Sequence, residues 1–347
     1  MRITVAICTW NRCELLRQTL DQLTRAVVPT GTTLEVIVVN NNCTDATDQI
    51  IGEFGDRLPV RRLFESSPGL SYARNAALSA ATGDYVVFTD DDVLVSESWL
   101  REFEAATRAF PEAAAIGGII EPWFPEPPDP ELMEAFSELK RGFCGLDHGL
   151  EGGPLPDGLF IWGANMAFRS GAIRDLRFDP NLGPSPTSTV CADETDFLRR
   201  IRASGGGAVW WPGMRVRHYV LPSRMTLEYL LRHAVGKGTE SVLIGPVQWA
   251  PLLGGAPRWL WRRYVEAWVN CLASYLRLGE LLPYPVTLSG SWDTPSSARV
   301  RILRWRREVL FLRGMIAGYR QLVGRRREPH PEVAAPATRS VPTNRLI

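Results

Sequence analysis

From residue 3 the chain alternates short apolar runs with segments of helical periodicity. Residues 3–8 form a run of strand formers, and residues 12–26 repeat Leu15, Leu16, Leu20 and Leu23 at helical spacing behind Asn11, which predicts a strand and a capped helix. The alternation continues with a strand over 34–39, a helix over 45–54 capped by Thr44, a strand over Val60–Phe64, a helix over Leu70–Ala80 and a strand over 85–89. A strict βαβαβαβ order predicts an α/β architecture, a mostly parallel sheet with helices on both faces. In open sheets of this kind ligands gather beyond the carboxyl ends of the strands.

The second half is less regular. A helix is expected over 99–110 and a strand over 114–119, before a stiff proline loop at 122–130, "PWFPEPPDP". "GLFIWGANMAFRSGAI" returns to the sheet, "FDPNLGPSPTST" reads as flexible, and "CADETDFLRRIRASG" opens a helix closed by Gly205. Two short strands, 207–211 and 215–219, follow. From Met225 the pattern is helical with a Pro/Gly break at 245–257, and 328–347 reads as a disordered tail. The expected organisation is a catalytic domain over 1–240, with a nucleotide-binding half to about residue 120 and an acceptor half beyond it, then a helical, basic C-terminal extension over 241–327.

Composition changes this picture in one respect. At 45% apolar residues the 347-residue chain can form a substantial core, and its six cysteines show neither CxxC pairs nor regular spacing, which suggests a reducing cytoplasm. The net charge of +1 hides an uneven distribution: ten arginines against Glu308 give +9 over 299–327, so the rest of the chain carries about −8. The stretch "PRWLWRRYVEAWVNCLASYLRLGELL" mixes Trp259, Trp261, Tyr264, Trp268 and Tyr275 with Arg258, Arg262 and Arg263. That mixture suits a helix at a membrane interface, and equally one packed on the catalytic domain. No apolar run is long enough to span a bilayer, and the first residues are too short an apolar stretch for a secretory signal. The expected location is cytoplasmic, or peripheral on the inner face of the plasma membrane, with an anionic membrane surface as a partner; no nucleic-acid recognition motif accompanies the arginines.

Candidate chemistry collects at the strand ends: Thr9-Trp10-Asn11-Arg12 after the first, Asn40-Asn41-Asn42-Cys43-Thr44-Asp45 after the second, Asp90-Asp91-Asp92 after the fourth. Three adjacent carboxylates repel one another, and a divalent cation with hard oxygen ligands relieves that repulsion. Alternation in an extended chain turns Asp90 and Asp92 one way and Asp91 the other. A single acid would suffice for the simpler role of capping a helix near Ser96 and Glu97. A second acidic cluster, Asp193-Glu194-Thr195-Asp196, begins a helix and offers either a cap or a general base, while His218 closes the strand "RVRHYV".

"VAICTWNR", "VIVVNNNCTDAT", "SPGLSYARNAAL", "VVFTDDDVLV", "GANMAF" and "ADETDFLRRI", in this order, resemble the family 2 glycosyltransferases of GT-A fold, over about residues 3–240. The resemblance implies a GT-A type, Rossmann-like sheet and an inverting, metal-dependent transfer of sugar from a nucleotide-diphosphate donor, UDP- or GDP-linked, to a hydroxyl of a saccharide or lipid-linked acceptor, as in cell-surface polysaccharide or glycolipid synthesis. Carried onto this sequence, it implies donor contacts from Thr9, Asn11, Arg12, Asn40, Asn42, Asp45, Arg74, Asp90, Asp91, Gly163 and Asn165. It likewise implies a Mn²⁺ or Mg²⁺ ion on Asp92, Asp90 and His218, with Glu194 as base and Asp193 in reserve.

Two departures stand out: Asn40 replaces a common aspartate that reads the base, and the helix-start acids run Asp193-Glu194 rather than Glu-Asp. A sugar nucleotidyltransferase would need a Gly-rich basic loop where "CTWNR" stands, and a non-catalytic relative would have lost acids that are here retained.

Overall fold

The computed structural model describes residues 1–128, 130–134, 142–149, 151–186, 191–244, 252–276 and 298–327. Part of the proline loop, part of "FDPNLGPSPTST", most of the 245–257 break and the 328–347 tail lie outside the described residues.

The first half follows the periodicity. Strands β1 (Arg2–Thr9), β2 (Thr33–Asn40), β3 (Val60–Phe64) and β4 (Tyr85–Asp90) pair in parallel in the order β3-β2-β1-β4, with helices α1 (Cys13–Leu23), α2 (Thr47–Glu53) and α3 (Leu70–Ala80) between them. Ile3, Val5, Ala6 and Ile7 and the run Val36, Ile37, Val38 and Val39 are fully enclosed. Strands covered on both faces need such continuous apolar runs.

Both expected caps are corrected. α1 starts at Cys13 with Arg12 at its N-cap, because Asn11 takes a left-handed φ of 53° and its Oδ1 accepts the Thr44 N–H at 2.7 Å. α2 starts at Thr47 with Ala46 at its N-cap, and Asp45 rather than Thr44 bonds to its first residue: Asp45 Oδ1 accepts the N–H and hydroxyl of Thr47, and its Oδ2 accepts the Cys13 N–H. One carboxylate thereby fixes the loops after β1 and β2 together.

Beyond β4 the sheet becomes mixed. β5 (Val93–Val95), α4 (Trp99–Ala109), β6 (Ala113–Trp123), the short helix α5 (Pro130–Glu134), β7 (Gly153–Pro154), β8 (Met166–Arg169), α6 (Asp193–Ala203) and β9 (Gly207–Tyr219) follow. The sheet continues from β4 as β8-β6-β9-β5, with β8 antiparallel to both its neighbours and β7 paired to β9. The two short strands expected at 207–219 are one strand with an irregular register, because Gly117 pairs with Trp210 and Ile119 with Arg215. The residues between, including Pro212, which has no N–H to offer the ladder, bulge out.

The C-terminal helices α7 (Leu227–Ile244), α8 (Arg258–Tyr275) and α9 (Ala298–Arg327) enclose a core of their own, built on Val242, Leu260, Ala267, Val309, Leu312 and Ile316. A smaller cluster of Leu132, Phe143, Val220, Leu230 and Val300 lies between sheet and helices.

Candidate active site

The strand register explains why the polar clusters meet. Thr9 pairs with Asn40 and Cys8 with Asp90, so the ends of β1, β2 and β4 share one edge. There a cleft of ≈ 370 Å³ is lined by Thr9, Trp10, Arg12, Asn41, Gly69, Asp90, Asp91, Asp92, Ser185, His218 and Arg224, among others.

All three aspartates face it, which corrects the expectation that Asp91 points away. β4 ends at Asp90, and the next two residues form a turn in which strand alternation no longer applies. Arg12 bridges them, Nη1 lying 3.2 Å from Asp91 Oδ1 and 2.7 Å from Asp92 Oδ2. Burial, reinforced by Asp92, pushes the Asp91 carboxyl up to about 7 in spite of Arg12. Burial acts on Asp92 in the same sense, but His218, Arg12 and Arg224 outweigh it and hold that carboxyl below the ordinary range. None of the three caps α4, whose N-cap is Ser98.

Asp90, Asp92 and His218 each bring one ligand atom to within 4.8 Å of the others. His218 Nε2 lies 2.9 Å from Asp92 Oδ1 and 3.8 Å from Asp90 Oδ2. The closer contact is a buried ion pair, and the imidazole is the largest of the charges that lower the Asp92 pKa. Burial opposes charge on His218, yet Asp92 and Cys144 prevail and keep its pKa well above that of a free imidazole. Two carboxylates and an imidazole whose ligand atoms converge in this way fit a divalent cation such as Mn²⁺ or Mg²⁺.

Arg74 is the buried link between this cluster and the second acidic pair. Its Nη1 donates to Asp193 Oδ2 and its Nη2 to Glu194 Oε1, both at 2.8 Å, while Asp90 Oδ1 lies 3.9 Å away. The ring of Phe178 packs on the guanidinium at 5.5 Å. Asp193 is only 1% exposed and also accepts the Ser71 hydroxyl, whereas the Glu194 side chain is 20% exposed. Burial, with Asp193 adding to it, raises the Glu194 pKa against the pull of Arg74. Gly163 fits between them: a Cβ there would come 1.9 Å from Arg74 Nη2 and 2.5 Å from Glu194 Oε1.

The remaining expected donor contacts divide. Thr9 lines the cleft with its side chain buried. Asn40 is enclosed by its own loop, Oδ1 accepting the Cys43 N–H and Nδ2 donating to Asp48. Asn11 and Asp45 hold the β1 and β2 loops together, and Asn42 donates to the carbonyls of Glu65 and Ser66. Asn165 is fully buried, accepting from Trp99 Nε1 and donating to the carbonyls of Ile119 and Met214. Ser71, Cys144 and Arg224 were not anticipated. Ser71 had a signal, sharing the "SPGLSYARN" motif with Arg74, but Cys144 and Arg224 reach the site through folding alone.

The family model "Glycosyl transferase family 2" matches residues 4–176. The glucosyl-dolichyl phosphate glucuronosyltransferase of Haloferax volcanii is 25% identical over 244 residues, 69% of this chain and 75% of that protein. The succinoglycan biosynthesis protein ExoM of Rhizobium meliloti is 26% identical over 240 residues, 69% of this chain and 73% of the relative. Among solved structures, the mannosyltransferase PcManGT of Pyrobaculum calidifontis, in complex with GDP-Man and Mn²⁺, aligns with a TM-score of 0.47 at 21% identity, over 71% of this chain and 66% of that one. The chain belongs to glycosyl transferase family 2, and the residues that match, 4–176, carry the three aspartates, Arg74 and Gly163.

Proposed function

We propose that the protein transfers a sugar from a nucleotide-diphosphate donor to a hydroxyl acceptor, with inversion at the anomeric carbon and with a divalent cation held by Asp90, Asp92 and His218. The observation that carries this reading is the convergence of Asp90, Asp92 and His218 on one point, in a cleft joined through Arg74 to Glu194. When bound there, the cation would neutralise negative charge on a departing nucleoside diphosphate.

The protein's own groups supply the rest. Glu194, more exposed than Asp193 and with a raised pKa, is the group suited to take the proton from the acceptor hydroxyl. The acceptor oxygen forms its bond to the anomeric carbon as the bond to the diphosphate oxygen breaks on the opposite face, and the hydroxyl proton passes to Glu194. Both Arg74 Nη atoms are bonded to the acidic pair, so Arg74 orients the base rather than reaching into the cleft. Arg12 and Arg224, which line the cleft, are the guanidinium groups placed to meet phosphate oxygens.

A saccharide or lipid-linked acceptor is in keeping with the names of the two relatives. The test is incubation with UDP- and GDP-sugars and Mn²⁺ or Mg²⁺. The reading requires release of nucleoside diphosphate that stops on chelation. Release of pyrophosphate from a nucleoside triphosphate and sugar phosphate would mark a nucleotidyltransferase and overturn it.

A further inference from the structure

Helix α8 is built the wrong way round for a helix facing water. Its buried side carries Leu260 with Ala267, Asn270, Cys271 and Ser274, while Val265, Trp268, Val269, Leu272, Tyr275 and the adjoining Leu276 are 52–59% exposed. Arg258, Arg262, Val265, Val269, Leu272 and Leu276 recur at intervals of four and three, hence along one line of the helix surface. The first two are exposed cations and the other four are apolar. The aromatic residues of this segment also separate: Trp259, Trp261 and Tyr264 pack against the C-terminal core, and Trp268 and Tyr275 face outward.

The surroundings are strongly basic. Residues 252–276 and 298–327 hold thirteen arginines against Glu266 and Glu308, and Arg313 and Arg320 are exposed on α9. A large apolar stripe bordered by guanidinium groups is complementary to a surface with an apolar interior and an anionic rim. No described helix is long and apolar enough to cross a membrane. We infer that the outward face of α8 is a membrane-docking surface that lies in the interface of a bilayer carrying anionic headgroups. This inference is independent of the catalytic reading, because its evidence and its readout both lie outside the cleft.

The test is co-sedimentation of the full chain with vesicles of phosphatidylcholine alone and of phosphatidylcholine mixed with phosphatidylglycerol. Binding is expected on the mixed vesicles and should weaken with added salt. Trp268→Ser and Leu272→Ser should each reduce it about tenfold or more, the size expected for withdrawing a large apolar side chain from lipid. Both variants should keep the parent's melting temperature, since neither side chain is buried. Equal binding to both vesicle types would overturn the anionic-headgroup requirement, and no binding would overturn the surface itself. A dimer in sedimentation velocity that Trp268→Ser dissociates would assign the stripe to a second copy. A large loss of melting temperature in that variant would show that the chain itself covers it. Retention of nucleic acid that is indifferent to Trp268 would assign the arginines elsewhere.

Discussion

At the scale of single residues, the site is a set of charges that restrain one another. Asp92 stands between His218 and Arg12, and removing its carboxylate leaves two cations facing each other and a three-ligand cluster reduced to two. Asp92→Ala should lower kcat by about 100-fold or more, with Mn²⁺ binding lost in calorimetry. Glu194→Gln should lower kcat by about 10²–10⁴ while leaving donor binding in place, as expected for loss of a base. The same assignment fixes a pH dependence. A base works when ionised, and the Glu194 pKa is raised, so the acid limb of kcat should lie at higher pH than for an ordinary glutamate and should vanish in Glu194→Gln.

Gly163 offers a finer test, because a methyl group there meets Arg74 and Glu194 at once. Gly163→Ala should reduce kcat more than it reduces stability, a split read by comparing turnover with a thermal melt. Glu35 is a structural counterpart. It accepts from Arg61, from the Thr4 hydroxyl, and from both the N–H and hydroxyl of Thr82. Burial tends to raise its pKa, but those donors together lower it. Its ionised form is therefore favoured by folding, a contribution present above the unfolded glutamate pKa and lost as pH falls through the lower folded value. Glu35→Gln should cost about 1–2 kcal/mol in urea unfolding at neutral pH, and the difference should shrink in acid.

Elements show where periodicity is informative and where it is not. Strands β1, β2 and β4 were legible because parallel strands with both faces covered read as long apolar runs, and the bounds of the edge strand β3, whose Arg61 and Arg62 are exposed, and of α3 agree with the expectation residue for residue. The helix starts were misassigned because an Asn or Asp before a helix can as readily bond across to another loop, as Asn11 does to Thr44. The contact between α7 and α9 left little trace in the hydrophobic pattern. Its small residues mark it instead: a Cβ on Gly238 would lie 1.9 Å from the carbonyl oxygen of Phe311, and one on Gly314 2.0 Å from that of Val235. The Thr239 hydroxyl donates to the Gly314 carbonyl across the same contact. Backbone cannot give way as a side chain can, so Gly314→Val should destabilise by about 1–3 kcal/mol or more in chemical denaturation. Gly324→Val, at a site where no atom of the described residues lies within 4 Å of the added Cβ, is the control.

For the whole molecule, charge and core both divide. The sheet encloses one core and the C-terminal helices another, and the arginine excess belongs to the second. A ligand that binds only the folded sheet should stabilise it by about 2.7 kcal/mol at a hundredfold its Kd, or about 5 °C in melting temperature. Mn²⁺ with UDP or GDP should give such a shift, and Asp92→Asn should abolish it. No shift with either nucleotide would count against the cation site.

The sequence by itself determined the alternation of elements, the parallel half of the sheet and the gathering of polar clusters at one edge, because period, apolar runs and turn chemistry are local properties. It also marked Asp90, Asp92, Arg74, Glu194 and His218 as candidate site residues. Tertiary structure alone decided which of them meet and how. It turned Asp91 into the cleft, took up the amides of Asn40 and Asn165 within the fold, drew Arg74 onto the acidic pair, and set the large apolar side chains of α8 outward. The reason is physical: a side chain's partners come from residues distant in the chain, and burial, which sets both pKa and hydrogen-bond demand, is a property of the assembled molecule.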